Sequence, residues 1–146
     1  MTPSYVFTGG PVLDAAAGTL REGLDVLVKG DRIAAVGAGL ALPENCVSID
    51  VGGRTIMPGL IDCHVHVVAE SLDLWSNMTA PASLAALRAA RVMDAALQRG
   101  FTTLRDLGGA DYGLVRAVNE GVIAGPRLVI CGKGLTTTGG HADLRS

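Results

Sequence analysis

From Leu60 to Cys131 the sequence switches repeatedly between two periodicities, and this alternation constrains the fold more than any other feature. Leu60 to Val68 is a short, largely apolar run with strand character. Ala80 to Gln98 carries Ala86, Ala89, Ala90, Met93, Ala96 and Leu97 along one stripe and Arg88, Arg91, Asp94 and Gln98 along another, the spacing of a helix with one face on a core. Gly100 stands where the C-terminal cap of that helix belongs. A second strand from Phe101 to Leu107, a helix around Leu114 to Glu120, a Gly125-Pro126 break and a third strand from Arg127 to Cys131 complete the series. The order βαβαβ predicts a parallel sheet or a barrel, because parallel neighbours need long crossovers and helices supply them.

The preceding segment reads differently. Leu24 to Lys29 and Arg32 to Val36 are apolar-rich runs joined by Gly30-Asp31, the pattern of a β-hairpin with a two-residue turn. Tyr5 to Thr8, Val47 to Val51 and Arg54 to Met57 are further candidate strands, with a Gly52-Gly53 turn between the last two. The expectation is a small antiparallel sheet or sandwich over residues 1–58, followed at Pro58-Gly59 by an α/β segment over 59–146.

Bulk properties narrow the function. A chain of 146 residues with 49% hydrophobic content can bury a core, and a net charge of −2 without any basic run leaves no footprint for nucleic acid or an anionic membrane. No N-terminal targeting pattern and no apolar stretch of membrane-spanning length are visible, so no signal peptide or membrane span is expected. Cys46, Cys63 and Cys131 fit neither a disulfide framework nor a zinc knuckle, which points to a reducing, cytoplasmic setting. Small-molecule chemistry gains by elimination.

The polar residues of the first strand stand out. In MPGLIDCHVHVVAE, Asp62, His64 and His66 alternate, so regular strand geometry places them on one face and Ile61, Cys63, Val65 and Val67 on the other. Two imidazoles on one face can converge on a divalent ion at about 2.0–2.1 Å for zinc. They can equally be ordinary polar residues of a half-exposed strand; the apolar flanks and the position after a Pro-Gly turn favour the metal. Cys63 is expected to face away from the histidines.

The run DVGGRTIMPGLIDCHVHV closely resembles the signature of the amidohydrolase superfamily, metal-dependent hydrolases in which a small N-terminal β-sandwich precedes a (β/α)8 barrel. GFTTLRDLGG, from Gly100 to Gly109, and TTTGGHAD, from Thr136 to Asp143, resemble the branch holding imidazolonepropionase-like enzymes and Xaa-Pro dipeptidases. The resemblance implies an α/β chain made of the sandwich portion and the first three strands of a TIM barrel, the barrel being incomplete. A typical barrel takes about 250 residues.

The resemblance also implies chemistry. His64 and His66 match the first pair of metal ligands of a centre that holds two zinc ions in the complete chain. A carboxylated lysine bridges the metals in the family, two further histidines complete the ligand set, and an aspartate from a later strand transfers the proton; none of these positions is matched here. The implied reaction is hydrolysis of an amide or peptide bond by a metal-activated water, most like an Xaa-Pro dipeptidase or related carboxypeptidase. Alternatives are a cyclic-amide hydrolase such as imidazolonepropionase, and a non-catalytic fragment or assembly module.

Its expected partners are a dipeptide or other small molecule, the remainder of the barrel on the same or a second chain, and further copies in a homo-oligomer once complete. The 146 residues alone are expected to be inactive. His141 either contacts substrate, as the dipeptidase-like branch suggests, or is a loop histidine bonded to backbone. Asp62 is expected to orient its neighbours by hydrogen bonds. Arg105 and Asp106 face opposite ways, and Asp106 serves an ion pair or loop contact or else points inward. Trp75 is read as a packing residue rather than part of a substrate cover.

Overall fold

The computed structural model describes residues 3–140, which form a mixed α/β structure with several sheets. The chain divides into two compact units, residues 1–58 and 59–146.

The first unit contains strands β1 (Ser4–Thr8), β2 (Val12–Asp14), β3 (Thr19–Arg21), β4 (Asp25–Lys29), β5 (Arg32–Gly37) and β6 (Cys46–Asp50). Four of them form one sheet in the order β5-β4-β1-β6, with β1 antiparallel to β4 and parallel to β6. The hairpin expected around Gly30-Asp31 is present as β4 and β5. Val26 and Leu27 on β4 are both buried, as is Val6 on β1, which pairs with Leu27.

Three features differ from the sequence reading. The sheet expected to be antiparallel is mixed, because β6 joins β1 in parallel. β2 and β3 form a separate hairpin, closed at Asp14, whose backbone carbonyl accepts from Gly18 N–H at 2.8 Å and whose carboxylate accepts from Ala17 N–H at 3.0 Å. The strand expected at Arg54 to Met57 is reduced to a single bridge between Ile56 and Val12, with backbone bonds from Leu13 N–H to Ile56 O and from Ile56 N–H to Pro11 O, both 2.8 Å.

That short bridge draws the 51–54 turn tightly over Gly10. A β-carbon at Gly10 would land on the carbonyl oxygen of Arg54 and against the Val51 side chain. A backbone oxygen cannot rotate away as a side chain can. Gly10→Ala is therefore expected to destabilise the first unit by about 1–3 kcal/mol, read as a lower urea midpoint for the full-length protein; an unchanged midpoint would contradict this packing.

The second unit contains β7 (Leu60–Val65), α1 (Leu74–Thr79), α2 (Ala82–Gln98), β8 (Phe101–Asp106), α3 (Tyr112–Asn119) and β9 (Arg127–Ile130). The strands make a three-stranded parallel sheet in the order β7-β8-β9. Ala89 and Met93 of α2 are fully buried and pack with Leu104, Leu114, Leu128 and Val67. Of the apolar stripe read from the sequence, Ala89, Met93 and Ala96 face this core, whereas Ala86 is exposed.

Local chemistry sets the ends of these elements. α2 starts two residues later than the spacing suggested because Pro81 holds Ala80 in an extended conformation, at ψ 138°. Its other end is closed by Gly100 at φ +90°, a conformation glycine reaches without a steric penalty. The Gly100 carbonyl then accepts from Leu60 N–H at 2.8 Å, so the helix terminus also starts the pairing of β7 with β8. β7 stops at Val65 rather than Val68 because the chain turns at His66, whose carbonyl accepts from Ala69 N–H at 3.0 Å. Among the described residues, no helix is long and apolar enough to cross a membrane.

Candidate metal site

The candidate site lies at the C-terminal end of β7, where regular pairing breaks down. Asp62 pairs with Leu104 and Val65 with Asp106, so β7 uses three steps where β8 uses two. Cys63 and His64, within this bulge, are both exposed, whereas Asp62 and Val65 on either side are partly buried. Bulges of this kind re-aim side chains and are common beside functional sites.

The bulge also corrects the expectation that Asp62, His64 and His66 share one face. Alternation holds from Val65 through exposed His66 to buried Val67, but the extra residue puts Asp62 in phase with Val65 instead of with the histidines. Side chains satisfy the displaced backbone. The Asp62 carboxylate accepts from His64 N–H at 3.0 Å, and Arg105 Nε donates to the Cys63 carbonyl at 3.0 Å. Sequence-adjacent Asp106 faces the other way and is fully buried.

The two histidine rings meet edge to face, with centroids 5.6 Å apart and planes at 75°. His66 Nδ1 lies 2.9 Å from the Gly108 carbonyl oxygen. A carbonyl can only accept, so Nδ1 carries a proton, and in the neutral ring this leaves the lone pair on Nε2. That is how metal-bound imidazoles are characteristically held. Two imidazoles sharing a tetrahedral ion at zinc distances have centroids about 5 Å apart, so the observed spacing fits a common metal after a small ring adjustment. The pair supplies two donors; among the described residues, no three His, Cys, Asp or Glu side chains are grouped to hold a metal.

Asp106 is the site residue whose role the sequence left open. Its Oδ2 accepts from Val67 N–H at 2.7 Å, and its Oδ1 accepts from Gly108 N–H at 2.9 Å and Ala110 N–H at 3.3 Å. An aspartate followed closely by Gly108-Gly109 at a strand end is the available sequence signal, since short carboxylates bind the backbone of the turn they begin. The loop is tied further to the end of β9, where Gly109 N–H donates to Gly132 O at 2.9 Å.

The other expected residues are placed less decisively. His141 lies outside the described residues. Trp75 sits on α1 and is 71% exposed, so the packing role expected for it is not found within the described residues. α1 itself is capped by Asp73, whose carboxylate accepts from Ser76 N–H at 3.1 Å. The connection after β7 is tethered to α2 by an ion pair between Glu70 and Arg88 at 3.0 Å.

The second unit thus presents a three-stranded parallel sheet with two neighbouring imidazoles at the C-terminal end of its first strand. Residues 55–145, more than half of the chain, match the amidohydrolase family, and the chain belongs to that family. Ochratoxinase of Aspergillus niger is 40% identical over 94 residues, a match covering 61% of this chain and 19% of that protein. A crystal structure of a prolidase complexed with N-methylphosphonate-L-proline matches with a TM-score of 0.90 at 48% identity, over 97% of this chain and 35% of that one. A Xaa-Pro dipeptidase with methionine bound in its active site matches with a TM-score of 0.81 at 29% identity, over 96% of this chain and 36% of that one. The chain thus spans about a third of the length of these solved structures.

Proposed function

We propose that this chain contributes the first two metal ligands, His64 and His66, of a metal-dependent hydrolase acting on amide bonds, with Xaa-Pro dipeptides as the leading substrate class. The observation that carries the reading is the His66 ring, fixed by Gly108 O with Nε2 left to bind a cation beside His64. The likeness to a prolidase that binds a proline phosphonate supports the substrate class. In this reading residues 1–58 belong to a small β-sandwich and residues 59–146 to the first three strands of a (β/α)8 barrel. The remaining strands come from the same chain or a second one.

A divalent cation bound there would polarise the scissile carbonyl and activate water for attack. This chain's residues hold and aim its ligands. His66 presents Nε2, Asp62 fixes the backbone at His64, and Arg105 closes the bulge carbonyl. A strand's C-terminal end is where barrel enzymes gather their chemistry. His141 is assigned to substrate contact. Two zinc ions, a bridging carboxylated lysine and a proton-transferring aspartate belong to the complete enzyme, which we take to be a homo-oligomer. All three cysteines are free thiols, in keeping with a reducing cytoplasm.

The test uses the full-length protein. Its metal content is measured, and hydrolysis of Xaa-Pro dipeptides is compared with that of other dipeptides and a cyclic amide, before and after chelation. The expected result is Xaa-Pro hydrolysis that is lost with the metal and restored by zinc. Undiminished hydrolysis by verified metal-free protein would overturn the metal reading, and preference for the cyclic amide would overturn the substrate class.

A further inference from the structure

Asp106 is fully buried, and its carboxylate accepts three backbone N–H groups from two different segments. One donor is Val67, the residue immediately after His66. The others are Gly108 and Ala110, in the loop whose Gly108 carbonyl receives the His66 ring proton. The same carboxylate therefore holds the backbone beside His66 and the loop that orients its imidazole. These bonds close a circuit: Asp106 to Val67, along the chain to His66, across its ring to Gly108, and back to Asp106.

We propose that Asp106 is a positioning residue for metal binding: by clamping Val67 and Gly108 together it fixes the tautomer and direction of His66. This rests on the reading of His66 as a ligand and adds the residue that sets its aim. The chemistry requires a carboxylate. Both oxygens accept here, whereas an asparagine of the same shape would set an amide NH2 against at least one of the three N–H donors. A buried polar contact of that kind is resolved by moving the loop, and Gly108 O moves with it.

The test combines His66 ring 15N spectroscopy on metal-free full-length protein, at mildly alkaline pH, with zinc titration of the wild type and Asp106→Asn. The wild type is expected to show His66 protonated at Nδ1. In Asp106→Asn that signature is expected to give way to a tautomer mixture, and zinc affinity to fall by about 10–100-fold with the circular dichroism retained. If the Asn variant fails to fold, Asp106→Ser, which keeps one acceptor, is read in the same way.

A wild-type His66 protonated at Nε2 would overturn the proposal, as would a variant that keeps both the tautomer and the affinity. A wild type that binds no zinc at His64 and His66 would instead overturn the ligand reading, and the tautomer comparison would still decide whether Asp106 aims the ring.

Discussion

Replacing His66 by alanine in the full-length protein is expected to remove bound metal and to lower amide hydrolysis by at least about 10³-fold, because Lewis-acid catalysis contributes several kcal/mol and each 1.4 kcal/mol is tenfold in rate. The structure gives this variant a clean interpretation. His66 is exposed, and its ring is held by one hydrogen bond from Nδ1 to Gly108 O, so truncation removes a donor without opening the core. Circular dichroism and melting temperature should stay close to wild type while metal content and rate collapse together. His64→Ala should behave alike. Rates within about tenfold of wild type in both variants, after metal is removed from the buffer, would show that these imidazoles do not hold the catalytic ion.

The largest expected effect on stability comes from Met93→Ala. Met93 is fully buried on α2 in the cluster with Leu104, Leu114 and Leu128. Truncation leaves a cavity under the helix that packs on the sheet whose first strand carries His64 and ends just before His66, and deletions of this type cost about 2–5 kcal/mol. Met93→Leu conserves volume and should cost less than about 1.5 kcal/mol. The comparison is made by urea unfolding of the full-length protein. Equal midpoints for the two variants would mean that Met93 does not form the seam between α2 and the sheet.

These two sites also show how much the sequence disclosed. The stripe containing Ala89 and Met93 was legible because helical periodicity reports directly which face is buried, and the three strands were legible from their short apolar runs. The β4 and β5 hairpin followed from its two-residue turn. By contrast, α1 is six residues long, fewer than two turns and too short for periodicity to declare it, and its strong local signal is the Asp73 cap. The strand expected at Arg54 to Met57 found a partner only at Ile56, and partner supply is a tertiary property.

At the candidate site, the HxH spacing pointed to His64 and His66, whose ring centroids lie 5.6 Å apart, but strict alternation misplaced Asp62. Strict alternation assumes a regular ladder, whereas a bulge is defined by the partner strand: only the pairing of Val65 with Asp106 reveals the extra residue. The buried carboxylate of Asp106 was undetermined for a related reason. Its three donors are backbone N–H groups, which every residue but proline carries, so no sequence pattern marks them. What the sequence offered was Asp-Leu-Gly-Gly at a strand end, a turn signal that the fold uses to aim a histidine.

The most direct test of the central claim is anomalous diffraction at the zinc edge from crystals of the full-length protein. The expected result is a peak at about 2.0–2.1 Å from His66 Nε2 and from a His64 ring nitrogen, with His66 Nδ1 still bonded to Gly108 O. Zinc bound elsewhere, or bound through His66 Nδ1 with the Gly108 contact broken, would contradict the account.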